Sequence, residues 1–161
     1  MQFSLRVSAL LILVLCATGS VVAFEFEKVV LDKRIGKVCY AVTAADVDGD
    51  SKLDAVAISE REAIWYRNGD WTRHVMISDA VPSDHVCIAA GDIDRDGDVD
   101  FALGAGWPTN GGSIHWLRRG GAATDPWQVH EIGAESWTHR MRFADVLGRG
   151  HEQLVVTPLN R

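Results

Sequence analysis

The sequence predicts an all-β protein, a β-propeller of four-stranded antiparallel blades, with about three repeats forming a partial or truncated ring. Three observations carry that prediction: an acidic loop that recurs at blade spacing, short apolar runs between its copies, and the absence of helical periodicity. The loop reads DVDGDSKLD from Asp46 to Asp54 and DIDRDGDVD from Asp92 to Asp100. Aligned on its first aspartate, the stretch from Tyr40 matches the stretch from Val86, and both match HRMRFADVLGRGHEQLVVTP from His139. The anchors are Asp46, Asp92 and Asp145, with spacings of 46 and 53 residues. A sandwich has no reason to repeat an acidic loop at that interval, whereas a propeller blade repeats every 40 to 50 residues.

The elements follow in order. Residues 1–23 carry a basic Arg6, an apolar run from Val7 to Ala17 and small residues before a cleavage point after Ala23, which is the pattern of a secretory signal. An uncleaved anchor is the competing reading. Residues 24–161 are expected to hold the blades. After the first loop come DAVAIS, EAIWYRNG and WTRHVMIS, and after the second DFALGA, GSIHWLRRG and WQVHEIG. Each is rich in β-branched and aromatic residues and bounded by Gly, Asn, Asp or Pro, so each reads as a strand. The apolar run before each anchoring aspartate supplies a fourth. RNGD, Arg67 to Asp70, reads as a tight hairpin, and GGAATDP, Gly120 to Pro126, as a longer form of the same connection. Trp65, Trp71, Trp116 and Trp127 recur at matched positions, as packing between blades requires. His74 and His130 also recur, which the repeat itself explains.

Carboxylates at alternating positions of a tight loop converge on one point, and without a cation they repel. A hard divalent ion with flexible oxygen coordination fits, and Ca2+ fits better than magnesium because it accepts six to eight oxygens. The candidate ligands are Asp46, Asp48, Asp50 and Asp54 in the first loop and Asp92, Asp94, Asp96 and Asp100 in the second, completed by a backbone carbonyl near Lys52 or Asp98. Gly49 and Gly97 relieve the bend. An EF-hand is excluded, because position 12 is Ala57 in one copy and Leu103 in the other, each inside a strand-like run, where an EF-hand needs a bidentate glutamate and a helix. Asx turns between strands are the competing account of the aspartates. In the third loop Leu147, Arg149 and Gln153 replace three ligands, so no ion is expected there. Arg149 either supplies positive charge to Asp145 or points to solvent.

The motifs AADVDGDSKLDAV and AGDIDRDGDVDF resemble the FG-GAP/VCBS repeats of secreted and surface bacterial proteins and of integrin-like propellers. The resemblance implies that each loop joins the innermost strand to the next and holds a structural calcium on the eight aspartates. Residues 137–161 resemble the propeller segment of bacterial proteins related to aldos-2-ulose dehydratase, a sugar-processing lyase. That resemblance implies the alternative that this chain is the opening part of a carbohydrate-active enzyme.

Charge and composition narrow the partners. The chain has 16 basic and 22 acidic residues, and Arg6 is the one charged residue among the first 23, so the net of −6 becomes −7 for residues 24–161. That argues against nucleic acid and anionic membrane as partners. Cys39 and Cys87 either pair or stay as free thiols. His85, Trp137, His139, Arg140 and Arg142 are expected near the channel mouth opposite the acidic loops, either as ordinary rim residues or as a surface where a sugar, a carboxylate or a protein would bind. No GxSxG, HExxH, phosphate loop or CxxC is present, so the expected role is binding or scaffolding in a secreted, periplasmic or surface location. Propellers close with four to eight blades. Three repeats therefore imply further blades from a longer chain, a partner or self-association, and the stop at PLNR points to truncation.

Overall fold

The computed structural model describes residues 24–107 and 112–159. The predicted signal segment, residues 1–23, and the last two residues of PLNR lie outside the described residues. Ten strands and no helix occur among them. β1 (Cys39–Ala45), β2 (Asp54–Ser59), β3 (Glu62–Tyr66) and β4 (Arg73–Ser78) form one antiparallel sheet in chain order. β5 (Cys87–Gly91), β6 (Asp100–Ala105), β7 (Ser113–Arg118) and β8 (Gln128–Ala134) form a second, and β9 (Thr138–Ala144) pairs with β10 (Gln153–Pro158). Among the described residues the architecture is two four-stranded blades and two strands of a third, the open partial propeller that the sequence predicts.

Period-two alternation explains how the sheets stack. One side of the first blade presents Val56, Ile58, Trp65 and Met76, which pack with Phe101, Leu103, Leu117 and Trp127 of the second. The other side of the second blade presents Cys87, Ala89, Ala102 and Ile114 to Met141, Phe143, Leu154 and Val156 of the third. β6 lies between two neighbours, and all six of its residues are buried. Close stacking there requires Gly104, since a Cβ at that position would lie 2.7 Å from the Cys87 sulfur and 2.8 Å from Thr138 Cγ2. The innermost strands β1, β5 and β9 converge on a cavity of about 310 Å³ lined in part by Val42, Ala89 and Arg142.

Among the described residues the outer side of the first blade, Ala57, Ile64 and Tyr66, meets no further blade. Ile35, from the irregular segment 24–38, packs on it. Asp32 fixes that segment: its carboxylate accepts from the Arg34 amide (2.6 Å) and the Tyr66 hydroxyl (2.8 Å), with Arg73 Nε at 3.5 Å.

Two sequence expectations change at this level. The RNGD turn is longer than a two-residue hairpin: Trp71 N–H donates to the Arg67 carbonyl (2.8 Å), and Trp71 itself takes a left-handed conformation (φ 56°). Trp71 is consequently 40% exposed beside the N-terminal segment, while its counterpart Trp127 is 7% exposed against Phe101. Trp65 and Trp127 do pack between blades. Trp71 does not, because the side of the first blade that it faces has no neighbouring blade. Cys39 and Cys87 are free thiols, the first exposed and the second buried, and burial pushes the Cys87 thiol up to about 11.

Candidate metal centres

The three acidic loops close in the same register. Ala45 pairs with Asp54, Gly91 with Asp100 and Ala144 with Gln153, so each loop spans eight residues between an innermost strand and the next. Its first aspartate organises it. Asp46 accepts from the amides of Asp50 (3.0 Å) and Ser51 (2.8 Å), Asp92 from Asp96 and Gly97 (both 3.1 Å), and Asp145 from Arg149 (2.9 Å) and Gly150 (2.8 Å). The third loop keeps this pair of bonds although it has lost the carboxylates at positions three, five and nine. Those amides hold the Asp145 carboxyl below the usual range, and among the described residues Arg149 makes no ion pair with it.

The ninth position closes each loop against the rest of its blade. Asp54 is 1% exposed; it accepts from Val47 N–H (2.9 Å) and from Asn68 N–H (2.7 Å) at the end of β3. Asp100, equally buried, accepts from Ile93 (3.2 Å) and Arg119 (3.0 Å). Burial raises the Asp100 pKa, and the Arg119 amide opposes the rise. In the third loop Gln153 Oε1 takes over by accepting from Leu147 N–H (3.1 Å).

The loops bring three carboxylates together in each of the first two copies. Ligand oxygens of Asp46, Asp48 and Asp54 lie within 4.8 Å of one another, as do those of Asp92, Asp94 and Asp100. This donor set, all oxygen and anionic, fits a hard cation, and each cluster could hold a metal ion. Asp50 and Asp96 stand outside the two clusters. Asp50 bonds the Lys52 ammonium (2.9 Å) and amide, which lower its pKa, and Asp96 accepts from the Asp98 amide (2.9 Å).

Arginines that sequence reasoning missed sit against both clusters. Arg67 Nε is 2.9 Å from Asp48 Oδ2, and Arg118 Nε donates to Asp94 Oδ2 at 2.6 Å. The Arg118 hydrogen bond holds the Asp94 carboxyl below its ordinary value. Each guanidinium also lies over a tryptophan, Arg67 at 5.9 Å from Trp65 and Arg118 at 5.8 Å from Trp116. Each tryptophan in turn contacts a histidine: Trp65 with His74 at 4.3 Å and Trp116 with His130 at 5.1 Å. The signal was available, since WYR and WLR fall at matched places in the two repeats.

The predicted rim residues divide. Trp137 is 39% exposed at the start of β9, and Trp107 at the end of β6 contacts both its ring (6.1 Å) and that of His139 (6.4 Å). Arg140 Nη1 lies 3.1 Å from His139 Nε2 and donates to the His139 carbonyl, so these side chains form one cluster on the face opposite the acidic loops. Arg142 donates to the Met141 carbonyl and lines the central cavity instead. His85 is fully buried, with neither ring nitrogen in a hydrogen bond of normal geometry, and therefore faces no rim. Its burial depresses its pKa, the Glu62 backbone acting in the opposite sense.

A family model described as the FG-GAP-like repeat matches residues 46–103, from the first aspartate of the first loop to Leu103 in β6. With the antiparallel four-stranded sheets, this match supports a protein of the FG-GAP repeat β-propeller type. No curated protein matches the chain. The resemblance of residues 137–161 to a sugar lyase therefore gains no relative to support it.

Proposed function

We propose that this FG-GAP repeat chain is an exported, calcium-stabilised propeller module that acts in binding or scaffolding. The observation that carries the proposal is the pair of carboxylate clusters at equivalent places in consecutive blades, one on Asp46, Asp48 and Asp54 and one on Asp92, Asp94 and Asp100. Bound calcium would neutralise repulsion within each loop and fix the connection from the innermost strand to the next. Asp50 and Asp96, the remaining predicted ligands, would complete the oxygen set when an ion is bound. The ligand surface is the opposite face, where Trp107, Trp137, His139 and Arg140 combine ring faces with a guanidinium, a combination suited to a sugar or a carboxylate-bearing protein.

Calorimetric titration of the chelator-treated full-length protein with calcium chloride tests the cation reading. Two sites per chain are expected, one surviving in Asp48→Asn and one in Asp94→Asn. Asp145→Asn leaves both. Absence of binding in the unaltered protein would reduce the aspartates to turn formers.

A further inference from the structure

The geometry points to Arg67 and Arg118 as resident counter-cations of the first two loops, which set calcium affinity by holding the position-three carboxylate that an ion must share or take. This inference rests on the cation reading of the loops and adds what regulates them. Four observations carry it. In both blades the arginine ends or directly follows the third strand, and in both its Nε sits on the same carboxylate, at 2.9 Å on Asp48 and 2.6 Å on Asp94. Arg118 also approaches Asp96 at 3.8 Å, so it spans two of the predicted ligands. Each guanidinium is placed by a tryptophan face beneath it, at 5.9 and 5.8 Å, and that tryptophan by a histidine behind it. The third loop has Leu147 at position three and lacks the carboxylate that such an arginine would hold.

The physical consequence is a competition. Arg118 holds Asp94 by a directional, charge-assisted hydrogen bond, Arg67 holds Asp48 by an ion pair outside hydrogen-bond geometry, and the stack beneath both reduces the side-chain entropy lost in holding them there. The loops thus keep their shape without an ion, and their affinity for one is lowered by the same contact. Both arginines are partly exposed, with side chains 41% and 36% accessible, so the contact is screened and the effect is graded.

Calcium titration of full-length Arg67→Gln, Arg118→Gln and the double variant, with Arg67→Lys and Arg118→Lys as charge-keeping controls, tests the inference. Removing each guanidinium should tighten calcium binding at its own loop by roughly two- to fivefold, the scale of an exposed ion pair. The same variants should be less stable in chelator. The lysine controls, which keep the charge but not the stacked guanidinium, should fall between the unaltered protein and the glutamine variants. Calcium should also change the tryptophan emission of the unaltered protein, and less so in the double variant. Calcium binding with unchanged or weaker affinity in both glutamine variants would overturn the role of the arginines alone. No calcium binding in any variant would overturn the cation reading and this inference with it.

Discussion

Replacing Asp54 by alanine removes two hydrogen bonds from a carboxylate that is 1% exposed and leaves the amides of Val47 and Asn68 without partners inside the blade. Each bond from a backbone amide to a charged acceptor contributes about 1.5–3 kcal/mol; the fully buried Val47 amide loses it in full, while the half-buried Asn68 amide recovers part of it from water. The pair should therefore cost about 3–5 kcal/mol, allowing for shared relaxation. Urea unfolding in chelator isolates this term from any bound ion. With a slope of about 2 kcal/mol per molar, the midpoint should fall by roughly 1.5–2.5 M. Asp54→Asn keeps one acceptor oxygen and should lose about half as much, which preserves the test if the alanine variant does not fold. Exposed Asp50→Ala should change stability in chelator by less than about 0.5 kcal/mol. A loss below about 1 kcal/mol for Asp54→Ala would refute the claim that the ninth position locks each loop to its blade.

Acid should weaken the fold through His85 and His115, whose pKa values burial lowers from 6.5; His115 faces Glu131, which opposes its shift. Above pH 6.5 both rings are neutral in either state. Below it the unfolded chain takes protons that the folded chain refuses, so stability falls with pH by up to about 1.4 kcal/mol per unit for each ring. His85→Gln should remove one share of that slope in urea unfolding between pH 6.5 and 5. The two matched tryptophans should part company in the same assay: Trp127→Ala loses about 3–5 kcal/mol and Trp71→Ala less than about 1 kcal/mol. Gly104→Ala should destabilise by about 1–3 kcal/mol, because the new Cβ meets the Cys87 sulfur and Thr138 at under 3 Å.

The repeat made most of this architecture legible. Strand alternation, turn residues and the recurring aspartates placed the blades, because each is a local property of the chain and the repeat states it twice. What stayed hidden depends on which blade lies beside which. Trp71 and Trp127 are equivalent in sequence, yet one faces a blade and the other faces the N-terminal segment. His85 stands just before an apolar run, and counting residues from the loop placed it at a mouth; packing between the first two blades encloses it instead. Arg67 and Arg118 were visible as repeated letters, but their reach back to Asp48 and Asp94 depends on the pairing of the second strand with the third. The third repeat matched in sequence only through β9 and β10, and those are the two strands that form.

Thermal unfolding of the full-length protein in about 1 mM calcium and again in chelator tests the central claim most directly. With dissociation constants on the order of 0.1 mM, two sites add roughly 3 kcal/mol and raise the midpoint by roughly 10 °C. Combining Asp48→Asn with Asp94→Asn should abolish the shift. A single cooperative transition at the same temperature with and without calcium would contradict the account, leaving the loops as hydrogen-bonded turns whose charges the neighbouring arginines and Lys52 balance.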